Sequence, residues 1–271
     1  MKRDSLFLAI ALLPVVAFAQ VDHFEISVPG FQNGNHPFTL YAGDCYVITV
    51  QAKNSAGQVV TSYNGDAILS QRAINDQSGA ILGDRIGISK AANVANNTHL
   101  GRSSMTVTLT NGVYQFGAGG SLSTQLCFYY ATRAPQDYKQ SSGLGDLVLT
   151  ATLPNGSSPG ISPSYVVWHN TPQKIILLVP NQAINPATAT GSSGTVISEK
   201  MGLPFSAKTY LVDQFSNPII KDQSTADTIQ MTASHPQSIS FNPSQGAMSN
   251  SIYTSVVTVS SDSICGTTVT L

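Results

Sequence analysis

One pattern of this chain occurs twice and constrains its fold more than any other feature. Gly43 to Val60 holds a glycine, an extended run from Tyr46 to Ala52, a turn at Asn54–Gly57 and the start of another strand at Val59. Gly202 to Ile219 repeats it with Phe205–Val212, a turn beginning at Asp213 and a restart at Pro218-Ile219. Gly43 and Gly202 lie 159 residues apart, as do Asn54 and Asp213. Asp66 and Asp227 lie 161 apart, so the match slips by two in the next loop. Recurrence at a fixed spacing marks serial structural units. The Asn or Asp that opens each turn can hydrogen-bond its own backbone, and Gly57 can take positive φ.

The rest of the chain reads as strands. Phe24–Val28 alternates apolar and polar residues and stops at Pro29-Gly30. Ala67–Ser70, Met105–Thr110, Val113–Phe116, Gln125–Tyr130 and Asp146–Thr152 follow, with Asn111-Gly112 as a strong hairpin signal between Met105–Thr110 and Val113–Phe116. Together with Tyr46–Ala52 they make a set of seven, as a β-sandwich requires. A second set is expected at Ile175–Val179, Phe205–Val212, Thr228–Ala233, Ser238–Phe241, Ile252–Ser260 and Thr267–Leu271. The continuous apolar run Ile175–Val179 predicts a strand buried on both faces or packed at a junction. About 250 residues are too many for one sandwich of ~100 and suit two.

The N-terminus carries an export signal. Lys2 and Arg3 precede a mostly apolar stretch, Leu6–Phe18, and Ala17-Phe18-Ala19 is a small-x-small cleavage site. The expected organisation is a signal peptide at 1–19, a first sandwich at 20–153, a linker or junction at 154–170 and a second sandwich at 171–271. Residues 71–104 are polar and weakly periodic, with a short helix expected near Lys90–Ala95, and read as a long insertion. Residues 131–145 form a second excursion, and 181–198 is loop-like. The linker is read from Pro154, Pro159 and Pro163 among Gly and Ser residues. The last strand stops at Leu271, as an interrupted series of repeats would. No apolar run after the signal is long enough to cross a bilayer as a helix.

Composition narrows the partners. Without residues 1–19 the 13 basic and 14 acidic residues fall to 11 and 13, a net charge of about −2. Such a chain has no electrostatic footprint for nucleic acid. Hydrophobic residues are 42% of the chain, close to the globular norm.

The repeat resembles bacterial immunoglobulin-like modules of the invasin/intimin-like and filamin-like kind. The residues that carry the resemblance are His23-Phe24-Glu25-Ile26 at the first strand, the glycine before the second, and Val212-Asp213 with Asn217-Pro218-Ile219 at the hairpin. Gly266–Thr270 adds to it. The first copy departs from the pattern, with Asn54 for Asp and Gln58-Val59 for Asn-Pro. The resemblance implies an all-β fold of tandem immunoglobulin-like sandwiches, in an exported bacterial protein that is secreted, periplasmic or held at the cell surface. It implies a spacer or adhesion role toward protein or carbohydrate, further repeats in a larger parent chain, and no catalytic residues or cofactor.

Few residues invite chemistry. Cys45 opens one strand and Cys127 sits in a late one; in a sandwich such strands face each other across the core, so a disulfide is expected, with two buried thiols as the alternative. It would close a loop of roughly 80 residues, worth about 4 kcal/mol in the chain-entropy account. Cys265 has no partner in this scheme and is expected as an unpaired thiol. His23, His36, His99, His169 and His235 are scattered, with no pair at metal-ligand spacing. Asp213, Asp222 and Asp227 would have to gather at one end to hold calcium; solvated loop acids are the ordinary case. Tyr129 and Trp168 are the candidate contact aromatics, through which the chain would serve as a carbohydrate-binding or accessory module of a secreted hydrolase; core packing with a partly covered aromatic is the ordinary alternative. Phe128 and Tyr130 are expected on the face opposite Tyr129.

Overall fold

The computed structural model describes residues 20–28, 38–74, 81–84, 87–90, 103–132, 146–188, 190–197, 199–219, 227–234 and 236–260. The signal peptide, Cys265, the strand expected at Thr267–Leu271, most of 131–145 and all but Lys90 of the helix expected near Lys90–Ala95 lie outside them.

The described chain is all but entirely β. In its first part β1 (His23–Ser27) runs antiparallel to β4 (Thr49–Lys53), which pairs on its other side with β9 (Val113–Gln115). Phe24 and Ile26 of β1 are buried while Glu25 and Ser27 face solvent, the period of two of a half-buried strand. A second sheet places β10 (Leu126–Phe128) between β3 (Cys45–Tyr46) and β7 (Ile88–Lys90). The third sheet has the order β2 (Phe38–Tyr41), β13 (Tyr165–Trp168), β11 (Leu147–Thr152), β5 (Gly65–Ile74), β6 (Ile81–Asp84). In it β8 (Ser104–Leu109) adds to β5 and β12 (Gly160–Ile161) to β11. Phe24, Ile26 and Val50 from the first sheet, Leu126 and Phe128 from the second, and Leu69, Leu109, Leu147 and Leu149 from the third share one buried cluster.

Two expectations change here. The described parts of 71–104 are strand: β5 runs on to Ile74, and β6 and β7 belong to sheets. Hydropathy hid this because polar residues sit at buried positions; Gln71 is fully buried and accepts a hydrogen bond from the Tyr165 hydroxyl at 3.1 Å. The turn at Asn111-Gly112 is tight, with φ of 52° and 75°, yet its two strands enter different sheets, β8 against β5 and β9 against β4. A Cβ at Gly112 would meet the Val60 carbonyl oxygen, so close backbone approach fixes that glycine.

The second copy repeats this hydrogen-bond pattern. Here β14 (Lys174–Leu178), β17 (Phe205–Val212), β21 (Ile252–Val259) and β19 (Ile239–Asn242) form one sheet in that order. Alongside are the pairs β15 (Ala183–Ile184) with β16 (Ser192–Ser193), and β18 (Thr228–Gln230) with β20 (Gln245–Ala247). Lys174 faces Val212 as His23 faces Lys53. Asn250-Ser251, with φ of 49° and 61°, occupies the place of Asn111-Gly112. From that turn, Thr228 opposite Ala247 takes the place of Asp66 opposite Thr108, so Asp66 matches Thr228, one residue beyond the Asp227 expected. The run Ile175–Val179 is corrected too: among the described residues β14 is an edge strand, and Ile175 is 54% exposed.

Candidate functional site: a buried joint between the two copies

The repeated turn is built identically in both copies and used differently. Asn54 Oδ1 accepts the N–H of Ala56 and of Gln58, and Asp213 Oδ1 accepts the N–H of Phe215 and of Asn217, all at 2.9–3.0 Å. In the first copy the turn is open to solvent, with Ser55, Ala56, Gly57 and Gln58 exposed, and Asn54 Nδ2 donates to Gln58 Oε1. In the second copy Asp213, Ser216 and Asn217 are fully buried. Asp213 and Asn217 are covered by the end of the first copy and by Asn170, while Ser216 lies against Thr188 and Gly191 of its own copy.

The contact is polar at its centre. Asn217 Nδ2 donates to the Tyr129 carbonyl at 2.7 Å, and Asn217 Oδ1 accepts the Ala131 N–H at 2.8 Å. Asp213 Oδ2 accepts the Asn170 N–H at 2.9 Å and also a bond from Asn217 Nδ2. Asn170 Nδ2 in turn donates to the Ala42 carbonyl at 3.1 Å. Every acceptor of the buried carboxylate is thus met by N–H donors, which is how a buried charge is tolerated. The aromatic part is Phe215, 5% exposed, whose ring meets that of Tyr129 edge-on at 5.0 Å. A Cβ on Gly43 (φ 98°) would stand 2.7 Å from Phe215 Cε2, so the ring fits because position 43 has no side chain.

This joint corrects one candidate. Tyr129 is fully buried under Phe215 and offers no surface to a ligand; burial also drives its phenol well above the ordinary range. Trp168 is half-buried and meets the 43%-exposed Tyr41 edge-on, at 5.4 Å and 82°. Perpendicular rings do not present the coplanar faces that stacking on a sugar uses.

Cys45 and Cys127 are joined by a disulfide, but not across the core. They are direct neighbours on β3 and β10, in one sheet. Asp213 belongs to the joint, Asp222 lies outside the described residues, and among those residues no three His, Cys, Asp or Glu side chains assemble for a metal. His169 is buried with Nδ1 at 2.9 Å from the Asn170 carbonyl, and His23 pairs with Asp22 at the surface; the other three histidines lie outside the described residues.

Sequence reasoning singled out the turn and missed what it touches. Phe215 was the available signal: an aromatic at a turn tip, where the first copy has Ala56. Asn170 carried none.

The chain matches no protein-family model and no curated protein. Among solved structures it is similar to FdeC, an Escherichia coli adhesin, at 13% identity and a TM-score of 0.29, over 89% of this chain and 57% of that one. It is similar to dimeric latent PorU from Porphyromonas gingivalis at 8% identity and 0.26, over 88% of this chain and 21% of that one. It is similar to the Yersinia pseudotuberculosis adhesin InvE at 10% identity and 0.26, over 87% and 51%. The chain therefore spans about half the length of the two adhesins and about a fifth of PorU.

Proposed function

We propose that this chain is a non-enzymatic exported spacer of an adhesion-type surface protein, in which two immunoglobulin-like modules are coupled end to end and carry load along their strands. The observation that supports this reading is the continuity between the β2–β13 pairing and the joint. These strands are parallel, matched from Phe38 opposite Tyr165 to Tyr41 opposite Trp168. Once β1 has come away from β4, tension on the two chain ends draws β2 by its N-terminal end and β13 by its C-terminal end. In a parallel pair those pulls oppose each other along the strand axis, so the hydrogen bonds are sheared together instead of opening one at a time. Asn170, two residues past Trp168, is bonded both to Asp213 of the second copy and to Ala42, one residue past Tyr41. The strand that takes the load is therefore tied to its partner and to the next module at the same point.

Two further features support export. The expected cut after Ala19 precedes the folded part by a single residue, since Val21 is already buried and its carbonyl accepts the Ser158 hydroxyl. The Cys45–Cys127 disulfide suits an oxidising compartment. Among the described residues no helix is long and apolar enough to cross a membrane. Pulling single molecules by their ends tests the load-bearing reading: the first copy should yield in one cooperative rupture, and gradual peeling at low force would overturn it.

A further inference from the structure

The residue that the expected cut after Ala19 would expose is a glutamine, and the fold begins immediately behind it. Val21 is buried and its carbonyl accepts the Ser158 hydroxyl at 3.0 Å. The Asp22 N–H donates to the Lys53 carbonyl at 2.8 Å, and His23 then opens the β1–β4 ladder opposite Lys53. The backbone is therefore held from Val21 onward. Gln20 is exposed, and among the described residues its carboxamide makes no hydrogen bond. It borders an open groove of ≈ 500 Å³ with Val21, Asp22, Asn54, Ser55 and Ser158, so its side chain has room to change rotamer.

Removal of residues 1–19 turns the Gln20 nitrogen from an amide into an α-amine. Such an amine titrates near about 8, so around neutral pH a share of it is unprotonated and nucleophilic. The carbonyl carbon of the side chain, Cδ, belongs to the same residue, and attack on it closes a five-membered ring. Nucleophile and electrophile are thus held together by covalent bonds, which removes the entropic cost of bringing them into contact.

We propose that Gln20 becomes pyroglutamate in the exported chain. The α-nitrogen bonds to Cδ, the Cδ–Nε2 bond breaks, a proton of the attacking amine passes to the departing nitrogen, and ammonia leaves. No oxidant, reductant or further reactant enters. The closure turns only about bonds of Gln20 itself, so neither the Val21–Ser158 contact nor the β1–β4 ladder has to open. The ring then fixes φ of residue 20 as the proline ring does. The end of the first copy that faces away from the joint loses a positive charge. Peptidases that grip a free α-amine find none, because residue 20 is blocked and Val21 is held in the fold. The modification rests on the export reading, since it needs the cut after Ala19.

The test expresses the chain with residues 1–19 in bacteria, collects the exported form and labels its free amines before digestion with chymotrypsin. The peptide 20–24 contains no carboxamide besides that of Gln20, so a loss of ammonia from it has one source. The expected peptide carries no amine label and is lighter than the unmodified peptide by one ammonia. Pyroglutamyl aminopeptidase should remove its first residue and leave Val21 at the new end. Gln20→Ala, which keeps the small-x-small cleavage site, should take up the label in full. A labelled Gln20 in the parent chain would overturn the modification and leave the export reading standing. A chain that keeps residues 1–19, or that starts anywhere but residue 20, would overturn both.

Discussion

The disulfide makes a quantitative prediction about the first copy under load. Cys45 and Cys127 are 82 residues apart in sequence, and the bond holds their strands side by side. When the first copy ruptures in the oxidised protein, the chain between them stays out of the extended length. Fully extended, 82 residues span about 28 nm. The same rupture with the bond reduced, or in the Cys45→Ser/Cys127→Ser variant, should release about 28 nm more contour. Force spectroscopy with handles at both ends reads this directly. In solution the same variant should lose about 4.5 kcal/mol, the chain-entropy worth of a loop that size. An unchanged contour length would refute the reasoning, because it would place the two cysteines outside one loaded unit or leave them unbonded.

Other predictions concern the joint and the core. Gly43→Ala should cost about 1–3 kcal/mol in chemical denaturation, since the new Cβ meets the Phe215 ring and the backbone sits at φ 98°. In a Phe215→Ala background, itself costly because that ring is buried, Gly43→Ala should cost less than it does alone, because the clash is with this one ring. Alkaline stability should fall between about pH 10 and pH 12. Burial, and secondarily the neighbouring Asp44 carboxylate, push the Tyr46 phenol up to about 12. An unfolded tyrosine titrates near 10, so above that pH the unfolded chain has released a proton that the folded one keeps. The stabilisation is complete below about pH 10 and gone once the pH has risen through 12. Tyrosinate absorbance followed beside a denaturation series checks it; stability flat across that window would count against the burial of Tyr46.

Much of the strand pattern was legible in the chain because alternation is a local signal. Phe24–Val28 and Met105–Thr110 read correctly because their neighbours in sequence already specify a buried and a wet face. What failed to read depends on distant partners. β2 is four residues long and exists through its pairing with β13, more than a hundred residues away. The extension of β5 was masked by Gln71, whose burial is tolerable only because Tyr165 supplies a partner. Ile175 looked like core because its neighbours are apolar, yet it lies on an edge. Tyr129 was misjudged for the complementary reason: the face it presents is covered by Phe215 from the other copy. The turn motif was visible as a repeat, but the first copy's turn faces water and the second copy's turn is buried, and that difference rests on Phe215 and on Asn170, a residue outside the motif.

The central claim is that Asp213 and Asn217 lock the two copies to one another. Spin labels at Ser55→Cys and Lys208→Cys, both exposed, with Cys265→Ser to remove the remaining thiol, report the distance between them. The account predicts one narrow distance distribution that broadens in Asn217→Ala, where the Tyr129 carbonyl and the Ala131 N–H lose their partner. A broad distribution in the parent chain, or an unchanged narrow one in Asn217→Ala, would contradict it.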